Sequence, residues 1–245
     1  PDRDWRWLMD LGNRLKSWAR PKPEKPLPRL TPAEMFRIVI HEMDTIAETG
    51  ITSAKVNQRY RDTLIVATLI SAPIRVRNLA MIEIAQHLVR TQEGYHLRFV
   101  ASETKTHQAL HLVLPDMFTT YLERYISEVR PHFPSADTHK GLWCGQKGNP
   151  LAHETLYNAV CSRTKTLFGD AINPHRFRSV AASFLAESSP SDALLARPLL
   201  GHRRIETTEA YYVKARQIRS SQVVSDAVKQ IKEAPSPLSK RRLER

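Results

Sequence analysis

His175 and Arg178 stand three residues apart, Leu200-Gly201-His202 follows, and Tyr211 comes nine residues after that second histidine. Two imidazoles, a guanidinium and a phenol within the stretch Asn173 to Tyr212 are the parts needed to attack a phosphodiester, with the phenol as nucleophile. A phenol has a reference pKa of about 10 and attacks more readily if its proton is accepted as the new bond forms; His175 is the expected acceptor. In-line attack also loads negative charge onto the non-bridging oxygens, and planar, permanently charged guanidinium groups suit that charge. Arg178 supplies one. Arg75, beside Arg77 at an expected helix beginning, supplies another where unpaired amides already favour an anion. His202 would add a hydrogen bond to the same oxygens. Tyr211 and Tyr212 are adjacent and point about 100° apart on a helix, so only one can face the phosphate. Spacing selects Tyr211, and Tyr212 is read as a packing residue.

Composition narrows the anion that such a group would meet. The 245 residues carry 37 basic against 25 acidic side chains, a net charge of +12, so double-stranded DNA or another nucleic acid is the leading partner. At 41% apolar residues the chain can build an ordinary core. No apolar run reaches the roughly 18 residues that span a bilayer, and no signal pattern opens the chain. A soluble, cytoplasmic protein without a membrane partner is expected. Cys144 and Cys161 form no C-x-x-C, so neither a disulfide scaffold nor a cysteine zinc site is supported. Clustered acidic metal ligands are also missing, which argues against a metal-dependent nuclease. Pro1 at the start suggests a piece of a longer protein.

The elements that must hold these residues follow from periodicity. Trp7, Leu11, Leu15 and Trp18 share one helical face, so residues 1–20 are expected to form an amphipathic helix, read as the end of a separate N-terminal domain. Four prolines between Pro21 and Pro28 make 21–30 a stiff linker. Thr31-Pro32-Ala33-Glu34 has the capping-box spacing and opens the main domain, expected over 31–217. Its first helix buries Met35, Ile38, Val39 and Ile46. A second, from about Asn57 to Ile70, is apolar on most sides and hence central. Pro73 stops it, and a third opens at Ile74 to Leu79. Tyr95, Leu97 and Phe99 alternate with polar residues, as do Leu110, Leu112 and Leu114, which predicts a small antiparallel sheet whose polar connection, Ala101 to Ala109, carries Lys105 at or near its tip. Asp116 is expected to cap a helix ended by Pro131 and Pro134, Leu142-Trp143-Cys144 to form a short strand, and Leu156, Val160 and Leu167 to mark another helix. Further helices begin at Pro174 and near Asp192, and Pro198 with Gly201 sets His202 in a turn. The remaining 218–245 hold a C-terminal helix over about Ser221 to Ile231 and a basic tail.

The ordered set Arg75, Lys105, His175-x-x-Arg178, Leu200-Gly201-His202 and Thr208-x-x-Tyr211 resembles the catalytic domain of the tyrosine recombinases, the phage integrase family, over about Thr31 to Ala215. The order carries the resemblance, since His87-Leu88-Val89-Arg90 also reads His-x-x-Arg elsewhere in the chain. The resemblance implies a mainly α fold with a small antiparallel β-sheet. It also implies site-specific DNA strand cutting and rejoining through a 3′-phosphotyrosine intermediate, with no ATP, metal or other cofactor. A lysine at the tip of the sheet protonates the leaving oxygen in that family, which maps to Lys105; spacing alone leaves Lys140, Lys147 and Lys165 open. Exchange of C-terminal helices in a DNA-bound homo-tetramer is a further implication. Two departures stand out: Asn78 occupies a position where glutamate is usual, and Ser179-Val180 one where histidine and a small hydroxyl residue are common. Both predict altered packing around intact chemistry. The alternatives are a non-catalytic DNA-binding module of the same fold and a type IB topoisomerase-like relaxing enzyme.

Overall fold

Thr31 caps a helix as its spacing requires. Its side chain accepts the Glu34 N–H, the Glu34 carboxylate accepts the Thr31 N–H at 2.8 Å, and Pro32 takes the first helical position, so α2 (Pro32–Thr49) starts with a complete capping box. The computed structural model describes residues 4–18, 28–50 and 53–188. Ahead of α2, α1 (Arg6–Trp18) is helical as expected, with Trp7, Leu11, Leu15 and Trp18 exposed. The linker is described only from residue 28. The segments expected after Ser188, including the C-terminal helix and basic tail, lie outside the described residues.

Met35, Val39, Met43 and Ile46 form the buried stripe of α2, which packs on α3 (Ala54–Ser71). That helix starts earlier than Asn57 because the Ser53 side chain accepts the Val56 N–H and caps it. From Tyr60 to Leu69 every residue of α3 is buried, which makes it the central helix. The polar side chains between Tyr60 and Leu69 are paired, whereas Asn57 Oδ1 and Ser71 Oγ nearer the helix ends are buried without a partner among the described residues. Arg61 donates to the Asp62 carboxylate and to the Cys144 carbonyl and lies 5.2 Å over the Phe133 ring. Arg163 of α6 (His153–Phe168) donates to Thr63 and to Glu42 of α2, fastening three helices together.

The sheet has three antiparallel strands in the order β1 (Leu88–Thr91), β2 (Gly94–Phe99), β3 (Leu110–Val113). The alternating leucines and aromatics predict β2 and β3, and the register pairs Leu97 with Leu112 and Phe99 with Leu110. β1 is the addition. At four residues, with only Leu88 fully buried, it is too short to display a period. Gly94, at φ +114°, closes the tight turn between β1 and β2, and a side chain there would meet the Asp116 carboxylate at 3.1 Å.

Three expected elements take other forms. The third helix is a single turn, α4 (Val76–Ala80), since Pro73 and the extended Arg75 delay its start. Asp116 does not cap a helix with its side chain: Pro115 to Phe118 closes a 3-10 turn, α5 (Thr119–Arg124) follows, and its path widens into a π turn at Tyr125–Val129 before a 3-10 turn that already contains Pro131. Leu142-Trp143-Cys144 is buried but is not a strand. Leu142 donates to the Ile82 carbonyl while Trp143 accepts from Leu151, so its bonds go to two different segments and build no ladder. Among the described residues the architecture is mainly helical with one small antiparallel sheet. No helix among the described residues is long and apolar enough to cross a membrane.

Candidate active site

Arg75 is placed by what surrounds its backbone. Ala72, Pro73 and Ile74 are buried as the chain leaves α3, and Arg75 itself is extended, with φ −68° and ψ 145°, at the N-cap of α4. Asn78 and Leu79 are buried behind it, and the Trp143 indole donates to the Leu79 carbonyl at 2.9 Å, pinning the far end of the turn. The Arg75 guanidinium is half-buried. Burial pushes its pKa below the ordinary value, a change that leaves an arginine charged at neutral pH.

The second arginine arrives on α7 (Pro174–Ser188). The Ile172 N–H donates to the Thr164 hydroxyl of α6 at 2.8 Å, the Asn173 side chain accepts the Arg176 N–H at 3.1 Å, and Pro174 takes the first helical position. Phe177, Val180, Ala182 and Ala186 face the core. Arg178 is buried, and its Nη1 donates to the Pro73 carbonyl at 2.8 Å. That acceptor lies two residues before Arg75, so one hydrogen bond sets the start of α7 against the start of α4. His175 is exposed one turn earlier on α7. Its pKa is lowered, first by the partial shielding of the ring from water and then by the positive charges of Arg178 and Arg75. The imidazole is therefore within the field of both guanidinium groups, and in its neutral form it can take a proton.

Lys105 is exposed on the β2–β3 connection. The stem beneath it is built tightly. The Thr104 hydroxyl donates to the Gln108 carbonyl at 2.8 Å and accepts the Gln108 N–H at 3.1 Å, closing the loop around residues 105 to 107. Asn78 of α4 donates to the Glu103 carbonyl at 3.1 Å. The position that departs from the family pattern thus joins the Arg75 turn to the Lys105 loop. Lys140, Lys147 and Lys165 are also exposed, but none lies on this connection.

Arg75, His175 and Arg178 converge, and Lys105 is linked to them through Asn78. His202 and Tyr211 lie outside the described residues. Cys144 and Cys161 are unbonded to each other, and among the described residues no group of three or more His, Cys, Asp or Glu side chains could hold a metal ion. The roles of Asn78 and of the segment under Lys105 were not legible in a single sequence, because the contacts join residues 25 apart across elements whose pairing no periodicity reveals.

Tyrosine recombinase XerD of Staphylococcus saprophyticus is 27% identical over 202 residues, 81% of this chain, and the XerD of Staphylococcus haemolyticus is 28% identical over 201 residues. The chain spans 63% of the length of each of these relatives. In fold it is similar to a XerH site-specific recombinase in a post-cleavage complex with palindromic difH substrate, with a TM-score of 0.60 and 22% identity over 82% of this chain and 53% of that one. A lambda integrase dimer bound to a COC′ core site gives a TM-score of 0.50 and 16% identity, covering 85% and 55%. The profile of the phage integrase family matches residues 37–218, most of the length, and the chain belongs to that family.

Proposed function

We propose that this chain is the catalytic part of a site-specific DNA recombinase or integrase, which cuts and rejoins strands through a 3′-phosphotyrosine. The observation that supports the reading is the Arg178–Pro73 bond, which holds α7 beside the Arg75 turn, where the charges of both arginines act on His175. Arg75 and Arg178, with His202, hold the non-bridging oxygens. Tyr211 attacks phosphorus while His175 takes its proton. The P–O5′ bond breaks as Lys105 gives a proton to the leaving oxygen. Because the ester to Tyr211 keeps the bond energy, a second 5′-hydroxyl can reverse the step without ATP. The partner is double-stranded DNA, consistent with the +12 charge and with the DNA-bound XerH and lambda integrase structures whose fold this chain shares. The lambda integrase dimer supports assembly of several copies on DNA, here a tetramer.

A suicide duplex nicked near the exchange point tests this. The expected result is DNA covalently attached to the chain, loss of attachment in Tyr211→Phe, and strand transfer between two separate duplexes. Binding without attachment would leave a DNA-binding module, and attachment with relaxation but no transfer would leave a topoisomerase-like enzyme.

A further inference from the structure

The second His-x-x-Arg of the chain, beginning at His87, has no part in the reaction described above, yet its histidine is held on every side. The His87 ring stacks on Phe99 with centroids 5.1 Å apart. Its Nδ1 accepts the Glu83 N–H at 3.0 Å, which leaves the ring hydrogen on Nε2. That Nε2 faces Glu103 Oε1 at 3.1 Å. The other carboxylate oxygen of Glu103 accepts the Val100 N–H at 2.9 Å, and its backbone carbonyl accepts from Asn78. Burial acts to raise the Glu103 pKa, but the hydrogen bonds from His87 and the Val100 N–H outweigh it and the net shift is downward. Glu103 is thus fixed at both oxygens of its side chain and at its backbone, two residues before an exposed Lys105.

We infer that Glu103, gripped by His87 and tied by Asn78 to the Arg75 turn, is a positioning residue that sets where Lys105 meets the leaving oxygen. The inference rests on Lys105 being the proton donor. Arg75 and Lys105 must reach different oxygens of one phosphate, so the spacing between their carriers has to be set within about an ångström, and a misplacement of that size costs about a hundredfold in rate. Asn78 stands one helical turn after Arg75, and its bond to Glu103 is the rigid link between the two carriers. Thr104 then closes the loop on the other side, so the backbone beneath Lys105 is held while the side chain projects.

The test compares two suicide duplexes, one ordinary and one with sulfur in place of the scissile 5′-bridging oxygen. A thiolate has a parent pKa of about 8.5 and leaves without a proton, so a defect confined to proton donation vanishes on the sulfur substrate. His87→Ala and Glu103→Ala are expected to slow single-turnover cleavage of the ordinary duplex about ten- to a hundredfold and to match the unaltered chain on the sulfur one. Glu103→Gln, which retains an acceptor for His87 and the side-chain shape, should lose less and be restored in the same way. Equal losses on both substrates, or no loss on either, overturn the inference. Lys105→Ala separates the two levels: if sulfur restores Lys105→Ala but not the His87 and Glu103 variants, the positioning role alone fails. If sulfur does not restore Lys105→Ala, the assignment of the proton donor fails and the positioning role with it.

Discussion

A buried arginine whose guanidinium reaches a backbone carbonyl has two duties, and they can be measured apart. Arg178 → Lys keeps a charge but cannot reproduce the planar fork that satisfies both Pro73 and a phosphate. Cleavage is expected to fall by about two to three decades, the cost of a lost transition-state donor. Arg178→Ala should in addition destabilise the fold by about 1 to 3 kcal/mol, since the Pro73 carbonyl loses a buried donor. Single-turnover cleavage and thermal melting check the two effects. His175 makes a prediction about pH. Its lowered pKa means that the base form persists at neutral pH and is lost only as pH falls below the ordinary imidazole midpoint of about 6.5. Cleavage at limiting enzyme should stay level from about pH 8 to that midpoint and decline beneath it, and His175→Gln should remove the decline. An acid limb centred above about pH 7 would contradict the role.

At the level of elements, stability and chemistry separate by location. Thr31→Ala removes the hydroxyl that accepts the Glu34 N–H, one half of the capping box on α2, far from Arg75 in the chain, and should cost about 1 kcal/mol in denaturant unfolding with cleavage unchanged. Trp143→Phe strips the donor from the Leu79 carbonyl at the end of α4, so it should lower stability by about 1 to 3 kcal/mol and also slow cleavage, because Arg75 opens the same turn. The contrast explains what was legible beforehand. Helices with a cap and a full apolar stripe, such as α2 and α7, show themselves because both signals are local. β2 and β3 show themselves through strict alternation. β1 does not, because four residues are too few to display a period, and neither the end of α4 nor the π turn after Arg124 does, because tertiary hydrogen bonds fix them: Trp143 to Leu79, Tyr125 to Leu142. At the site the order of Arg75, His175 and Arg178 was readable, whereas the Asn78–Glu103–His87 chain spans segments that no local pattern pairs.

Across the whole molecule, charge and catalysis need different subsets of the basic side chains. Arg61 and Arg130 are buried and spent on the Cys144, His139 and Gly141 carbonyls, so they release no counterions from a surface contact, and Arg178 is assigned to the one reacting phosphate. DNA binding should depend on the exposed lysines and arginines and fall steeply with salt: about six phosphate contacts lose about a thousandfold in affinity between about 50 and 200 mM. A flat salt response would remove the electrostatic argument for a DNA partner. The most direct measurement of the central claim is mass spectrometry of the chain after trapping on a nicked suicide duplex. A 3′-phosphate ester on Tyr211, absent from Tyr211→Phe, is expected; an adduct on Tyr212 or any other residue, or no covalent adduct at all, would refute the assignment.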